Sequence, residues 1–174
     1  GCVRLSEKKG KGDQMIKKES ALLLLKKLIQ DSSADQTEAI LLTEDSSLTR
    51  FAGSAVHQHV AESNQTMVLR VVLGKKIAVV TTNIFLPSSL RQSLQKAISL
   101  AKVQQPNDEF ISLPGPRSIP EIETFSKNIS RLTPLQKVRM VKSLLRRVKE
   151  KGCKASGAFS HGEVELAVVN SLGV

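Results

Sequence analysis

Apolar residues recur at helical spacing in three stretches of the chain, and at strand spacing in much of what lies between. Residues 14–30 place Ala21, Leu24, Leu25 and Leu28 on one stripe flanked by Lys17, Lys18, Lys26 and Lys27, the repeat of an amphipathic helix. Ser89-Leu-Arg-Gln92 has capping-box spacing and opens a second helix, with Leu90, Leu94, Ala97, Ile98 and Ala101 on its stripe. The third helix is the most fully specified. Thr133 suits the N-cap, Pro134 the first turn and Gln136 the capping box. Leu135, Val138, Val141, Leu144, Leu145 and Val148 follow, and Gly152 provides the stop.

Between the helices the period shortens. Thr37–Leu42 is an apolar run of strand type that ends at a polar turn, Glu44-Asp-Ser-Ser47. Residues 49–60 read as one further strand. Alternation then puts Thr49, Phe51, Ala55, His57 and His59 on one face and Arg50, Ser54, Val56, Gln58 and Val60 on the other. Gly53 sits inside this run as a bulge position. Thr66–Leu73 and Lys76–Thr82 form a hairpin about Gly74-Lys75. Residues 104–120 hold four of the six prolines and predict an extended surface connection. Residues 119–129 have room for a short helical piece. A closing hairpin pairs Cys153–Ser160 with Glu163–Asn170 about His161-Gly162. Helix, strands, two helices and two strands predict an α+β fold: a mostly antiparallel sheet covered on one face by about three helices.

Charge adds an asymmetry. The net charge is +10, with eight Lys/Arg between Arg4 and Lys27 and eight more between Lys137 and Lys154. Residues 1–13 read as a flexible basic leader, and residues 14–174 as a single α+β domain. Basic patches of this size attract phosphate backbones or anionic surfaces. Here the cations sit at helix-surface spacing, as the solvated faces of amphipathic helices do. With five Phe and no Trp or Tyr, base-stacking platforms are not available, so nucleic acid is not expected as a partner. The longest apolar run, Ala21–Leu25, is far below the ~20 residues of a membrane span, and no membrane partner is expected. Two cysteines, Cys2 and Cys153, make no disulfide framework, which suits a reducing compartment. A cytoplasmic location is expected.

Candidate chemistry is sparse. There is no Gly-x-Ser-x-Gly, phosphate loop or His-Glu helix pair. His57 and His59 on one strand face could share a metal, but zinc needs three or four ligands. Only His161 and Cys153 remain to complete such a set. No catalytic residue and no metal ligand is therefore assigned, and the chain alone is not expected to be an enzyme.

Arg50-Phe-Ala-Gly-Ser-Ala-Val-His-Gln58 carries a further signal. It resembles the Arg-Phe-Ala-x-Ser-x-(aliphatic)-His-Gln segment of the TldD/PmbA family, zinc metallopeptidase-related proteins also called modulators of DNA gyrase. The likeness continues through the Thr66–Asn83 strands and closes at Val168–Val174. Gly53 replaces a small polar residue, and His59 is an addition. The family's downstream His-Glu-x-x-x-His zinc motif is absent. The resemblance implies the first domain of such a protein, with no cofactor of its own. Zinc is expected in the parent if it is the active type. It further implies joining to downstream domains, a homo- or heterodimer with a partner of the same family, and a chamber admitting unfolded peptide. The candidates for lining that peptide cleft are Arg50, Phe51, Ser54, His57 and Gln58. The alternative is a self-standing basic module that binds nucleic acid or an anionic surface.

Overall fold

The computed structural model describes residues 18–174, with side chains from Ser20 onward. The leader expected over residues 1–13 lies outside them. Four strands form one antiparallel sheet: β1 (Gln36–Ala52), β2 (Ala55–Leu73), β3 (Lys76–Thr82) and β4 (Gly157–Asn170), in the order β3-β2-β1-β4. The helices are α1 (Lys18–Gln30), α2 (Pro87–Val103), the single turn α3 (Lys127–Ser130) and α4 (Pro134–Glu150). The fold is α+β, as the pattern predicts.

The sheet is built on an unusually long hairpin. β1 runs for 17 residues and β2 for 19, roughly 55–65 Å at the usual strand rise. Their turn is Gly53-Ser54, with φ of 54° and 63°. Two consecutive left-handed residues make the turn whose twist matches that of the flanking strands. Gly53 is thus a turn residue rather than a bulge, and residues 49–60 are two strands rather than one. The polar stretch Glu44–Ser47 is no turn either, because β1 passes straight through it, paired with β2 on one side and β4 on the other. The expected closing hairpin is likewise one strand. His161 and Gly162 lie in the middle of β4, opposite Ser47 and Ser46.

All the longer helices cover the same face. Along β1 the odd-numbered residues point under the helices, and most are buried. At one end Ala39 and Leu41 join Met67, Leu69, Val71, Ala78 and Val169 beneath Ala21, Leu25 and Leu28 of α1 and Leu90, Leu94 and Ile98 of α2. This is the main core. At the other end Phe51 packs with Val141 and Leu145 of α4, supported by Val56, Ala155 and Phe159. The two cores lie on one sheet face with a polar gap between them. The opposite face is partly covered by the proline-rich connection. There Leu113 N donates to Gln36 Oε1 (2.8 Å) and Asn170 Nδ2 donates to Pro114 O (2.7 Å).

Candidate functional site: a polar pocket between two cores

Strand register alone assembles the gap. The row nearest the small core is Phe159, Thr49 and His59; the next is His161, Ser47 and Ala61; then come Glu163, Asp45 and Ser63. From above, α4 lowers one side chain into it. Lys137 lies one helical repeat before Val141 and Leu145, on the buried stripe of α4, and is 1 % exposed. The capping box at Thr133 starts α4 one turn earlier. Gln136 N donates to Thr133 Oγ1 (3.3 Å) and Thr133 N donates to Gln136 Oε1 (2.8 Å). Together these elements border an open pocket of about 300 Å³. Its base carries Lys137, Ser47, His59 and His161; Leu132 and Pro134 form a wall, and Asp45, Glu62 and Glu163 complete the lining.

The hydrogen bonds set the ring proton of His161 and couple that of His59 to the Thr49 hydroxyl. Lys137 Nζ donates to Ser47 Oγ and lies 3.3 Å from His161 Nδ1, which is 3.0 Å from Ser47 Oγ. An ammonium can only donate, so His161 Nδ1 accepts and the ring proton resides on Nε2. Thr49, wholly buried, has His59 Nδ1 at 2.8 Å from its hydroxyl. A hydroxyl donating there leaves the proton of neutral His59 on Nε2, and that atom is buried with no hydrogen-bond partner among the described residues.

No ion pair among the described residues involves Lys137. Burial pushes its ammonium below the ordinary lysine range. His59 is held below its ordinary value by burial first, then by the charges of Lys137 and His161. His161 is lowered by burial and then by Lys137. The pocket floor therefore carries a buried ammonium whose partners among the described residues are a hydroxyl and an imidazole rather than a carboxylate.

The five cleft candidates do not converge on this pocket. Phe51 is buried in the small core. Ser54 closes the turn, its N–H donating to Ala155 O (3.1 Å) and its Oγ accepting from Ala155 N (3.3 Å). Arg50 and Gln58 are exposed cross-strand partners. His57 is the extra residue of a bulge, since Arg50 pairs Gln58 while Phe51 pairs Val56. It is exposed, with Nε2 2.8 Å from Ala52 O. That bulge removes the expected shared face of His57 and His59. Among the described residues, no three His, Cys, Asp or Glu side chains are placed to hold a metal ion. Lys137 and His161 were not singled out from sequence as site residues. The available signal was a lysine at an apolar-stripe position of α4.

Comparison with solved structures shows what this arrangement is like. The chain superimposes on TldE from Thermococcus kodakarensis with a TM-score of 0.76 at 19% identity, covering 88% of this chain and 35% of that one. It superimposes on a proposed modulator of a DNA gyrase from Thermotoga maritima with a TM-score of 0.77 at 14% identity, covering 88% and 36%. A proposed modulator of DNA gyrase from Bacteroides thetaiotaomicron gives 0.79 at 14% identity, covering 92% and 38%. This is the TldE-type fold. The sequence matches no protein-family model, and no curated protein matches it. The likeness to TldE and the gyrase modulators thus resides in the fold, over nearly all of this chain and little more than a third of theirs. No described helix of this TldE-type domain is long and apolar enough to cross a membrane.

Proposed function

We propose that this chain is the non-catalytic N-terminal domain of a TldD/PmbA-type metallopeptidase, contributing to dimer assembly and to the wall of a peptide-binding chamber in the cytoplasm. The observation that carries the reading is the asymmetry of the structural match: 88–92% of this chain against 35–38% of its neighbours. Two further features support it. The Arg50–Gln58 segment forms an exposed hairpin end, which places Arg50, His57 and Gln58 where a neighbouring domain or peptide can reach them. The sheet face away from the helices exposes Val79, Val164 and Leu166, the kind of surface that a further domain or partner subunit covers.

In this reading the zinc of such a parent is held by its downstream part; among the described residues no three His, Cys, Asp or Glu side chains are placed to hold a metal ion. Reading the gene beyond the Val174 codon tests the proposal. An open frame entering a His-Glu-x-x-x-His helix is expected for an active-type parent, and a frame continuing without it for a zinc-less partner. An immediate stop codon overturns the reading. Duplex binding by the isolated chain that weakens steeply with salt would then favour the basic-module alternative.

A further inference from the structure

The polar gap is costly if its only task is to hold α4 on the sheet. A buried ammonium without a counter-charge is less favourable than an apolar side chain of similar volume. Among the described residues, Lys137 has hydroxyl and imidazole partners but no carboxylate. Beside it, His59 Nε2 is buried with no hydrogen-bond partner among the described residues, and it carries the ring proton when the Thr49 hydroxyl donates to Nδ1. His161 carries its own proton on Nε2, which has no partner among the described residues. An ammonium at the base of a pocket, without a carboxylate partner among the described residues, offers a place for a ligand carboxylate.

The remaining lining narrows the class. Asp45, Glu62 and Glu163 belong to the same pocket. Three carboxylates repel a dianion such as phosphate, yet they complement a ligand that carries an ammonium group close to its own carboxylate. The volume of about 300 Å³ stands at the small end of small-molecule sites. Leu132, Pro134 and Ala61 offer apolar contact for a short side chain. We propose that the pocket between the two cores binds a zwitterion of the free amino-acid or short-peptide class. The ligand carboxylate sits against Lys137 and His59, and its ammonium faces Asp45, Glu62 and Glu163. This goes beyond the chamber-wall reading and does not depend on it, since every group involved lies within this chain.

The test is a titration of the full 174-residue chain with L-alanyl-L-alanine, followed through the histidine ring C–H resonances. Saturable shifts of His59 and His161 are expected, with little movement of His57, which lies outside the pocket lining. Acetylating the peptide amine should weaken binding about threefold or more, and Lys137→Met about tenfold or more, as loss of a charged hydrogen bond does. Inorganic phosphate should bind more weakly than the dipeptide. The amide spectrum of Lys137→Met must stay dispersed, so that lost binding is separated from lost folding. Absence of a saturable shift at millimolar dipeptide, unchanged affinity in folded Lys137→Met, or phosphate binding more tightly than dipeptide overturns the proposal. Equal binding of the acetylated peptide overturns the assignment of the ammonium to the three carboxylates. None of these readouts needs zinc, a downstream domain or a partner subunit, so failure here and failure of the domain assignment are separate outcomes.

Discussion

Lys137 Nζ and His161 Nδ1 lie 3.3 Å apart, two basic groups in contact on the buried side of the sheet. They meet because α4 presents Lys137 on its apolar stripe and β4 carries His161 directly opposite Ser47. Replacing Lys137 by methionine keeps the length of the side chain and removes the desolvated charge. Ser47 Oγ and His161 Nδ1 remain paired at 3.0 Å. Stability to urea should rise by about 1–2 kcal/mol, and the ring pKa values of His59 and His161 should move up in an NMR titration. A destabilised variant, or unmoved imidazoles, would show that the ammonium is better solvated than its burial indicates.

The same two imidazoles set an acid limit. Both have folded-state pKa values below the ordinary 6.5, so the unfolded chain takes up protons first as pH falls. Their stabilising contribution is complete above about 6.5. It is lost as pH drops below that value, until the folded sites protonate as well. The melting temperature should therefore fall between pH 7 and pH 5, and the fall should be shallower in Lys137→Met, where one cause of the His59 and His161 shifts is gone. A flat profile would count against the buried cluster.

Thr133 makes both halves of the α4 capping box possible. Thr133→Ala removes the hydroxyl that accepts from Gln136 N and should cost about 1 kcal/mol of stability. Because α4 delivers Lys137, the His59 and His161 resonances should also broaden or shift in that variant. Thermal unfolding monitored beside the histidine spectrum would report both effects.

Val164 and Leu166 point away from the helices and are 64% and 60% exposed on the edge strand β4. Exposed apolar side chains beside an unpaired edge favour association. The isolated chain should self-associate with concentration in sedimentation experiments, and Leu166→Lys should shift it toward monomer. A wild-type chain that stays monomeric at high concentration would dismiss this surface as an interface. Val169, its neighbour, takes no part, since it is buried beneath the helices.

Some of this molecule could be read directly. The α2 stripe of Leu90, Leu94, Ala97, Ile98 and Ala101 is buried as the spacing requires, and the Thr133 capping box forms in full. The strands were harder, because apolar alternation marks a strand only where it lies over an apolar core. Between the two cores the covered face carries Thr43, Asp45, Ser47 and Thr49, so β1 looks like a turn where it is continuous. The Gly53-Ser54 turn was masked because Val56 and Val60 extend the apolar alternation across it. Lys137 illustrates the same difficulty in a helix. Its neighbours Arg139, Lys142 and Arg146 are exposed, and composition could not separate the one buried cation from that solvated face. Its phase with Val141 and Leu145 is the one feature that sets it apart, and the structure shows what that phase means.

The long β1–β2 hairpin gives the domain the character of a stiff rod gripped by two clamps of unequal strength. The clamp made by α1 and α2 holds many large side chains; the one made by α4 closes chiefly on Phe51. Strand pairing is continuous between them, so the weaker clamp can release without unravelling the rod. Whatever enters the gap touches the sheet and α4 together, and its arrival would be felt as a tightening of the weaker grip.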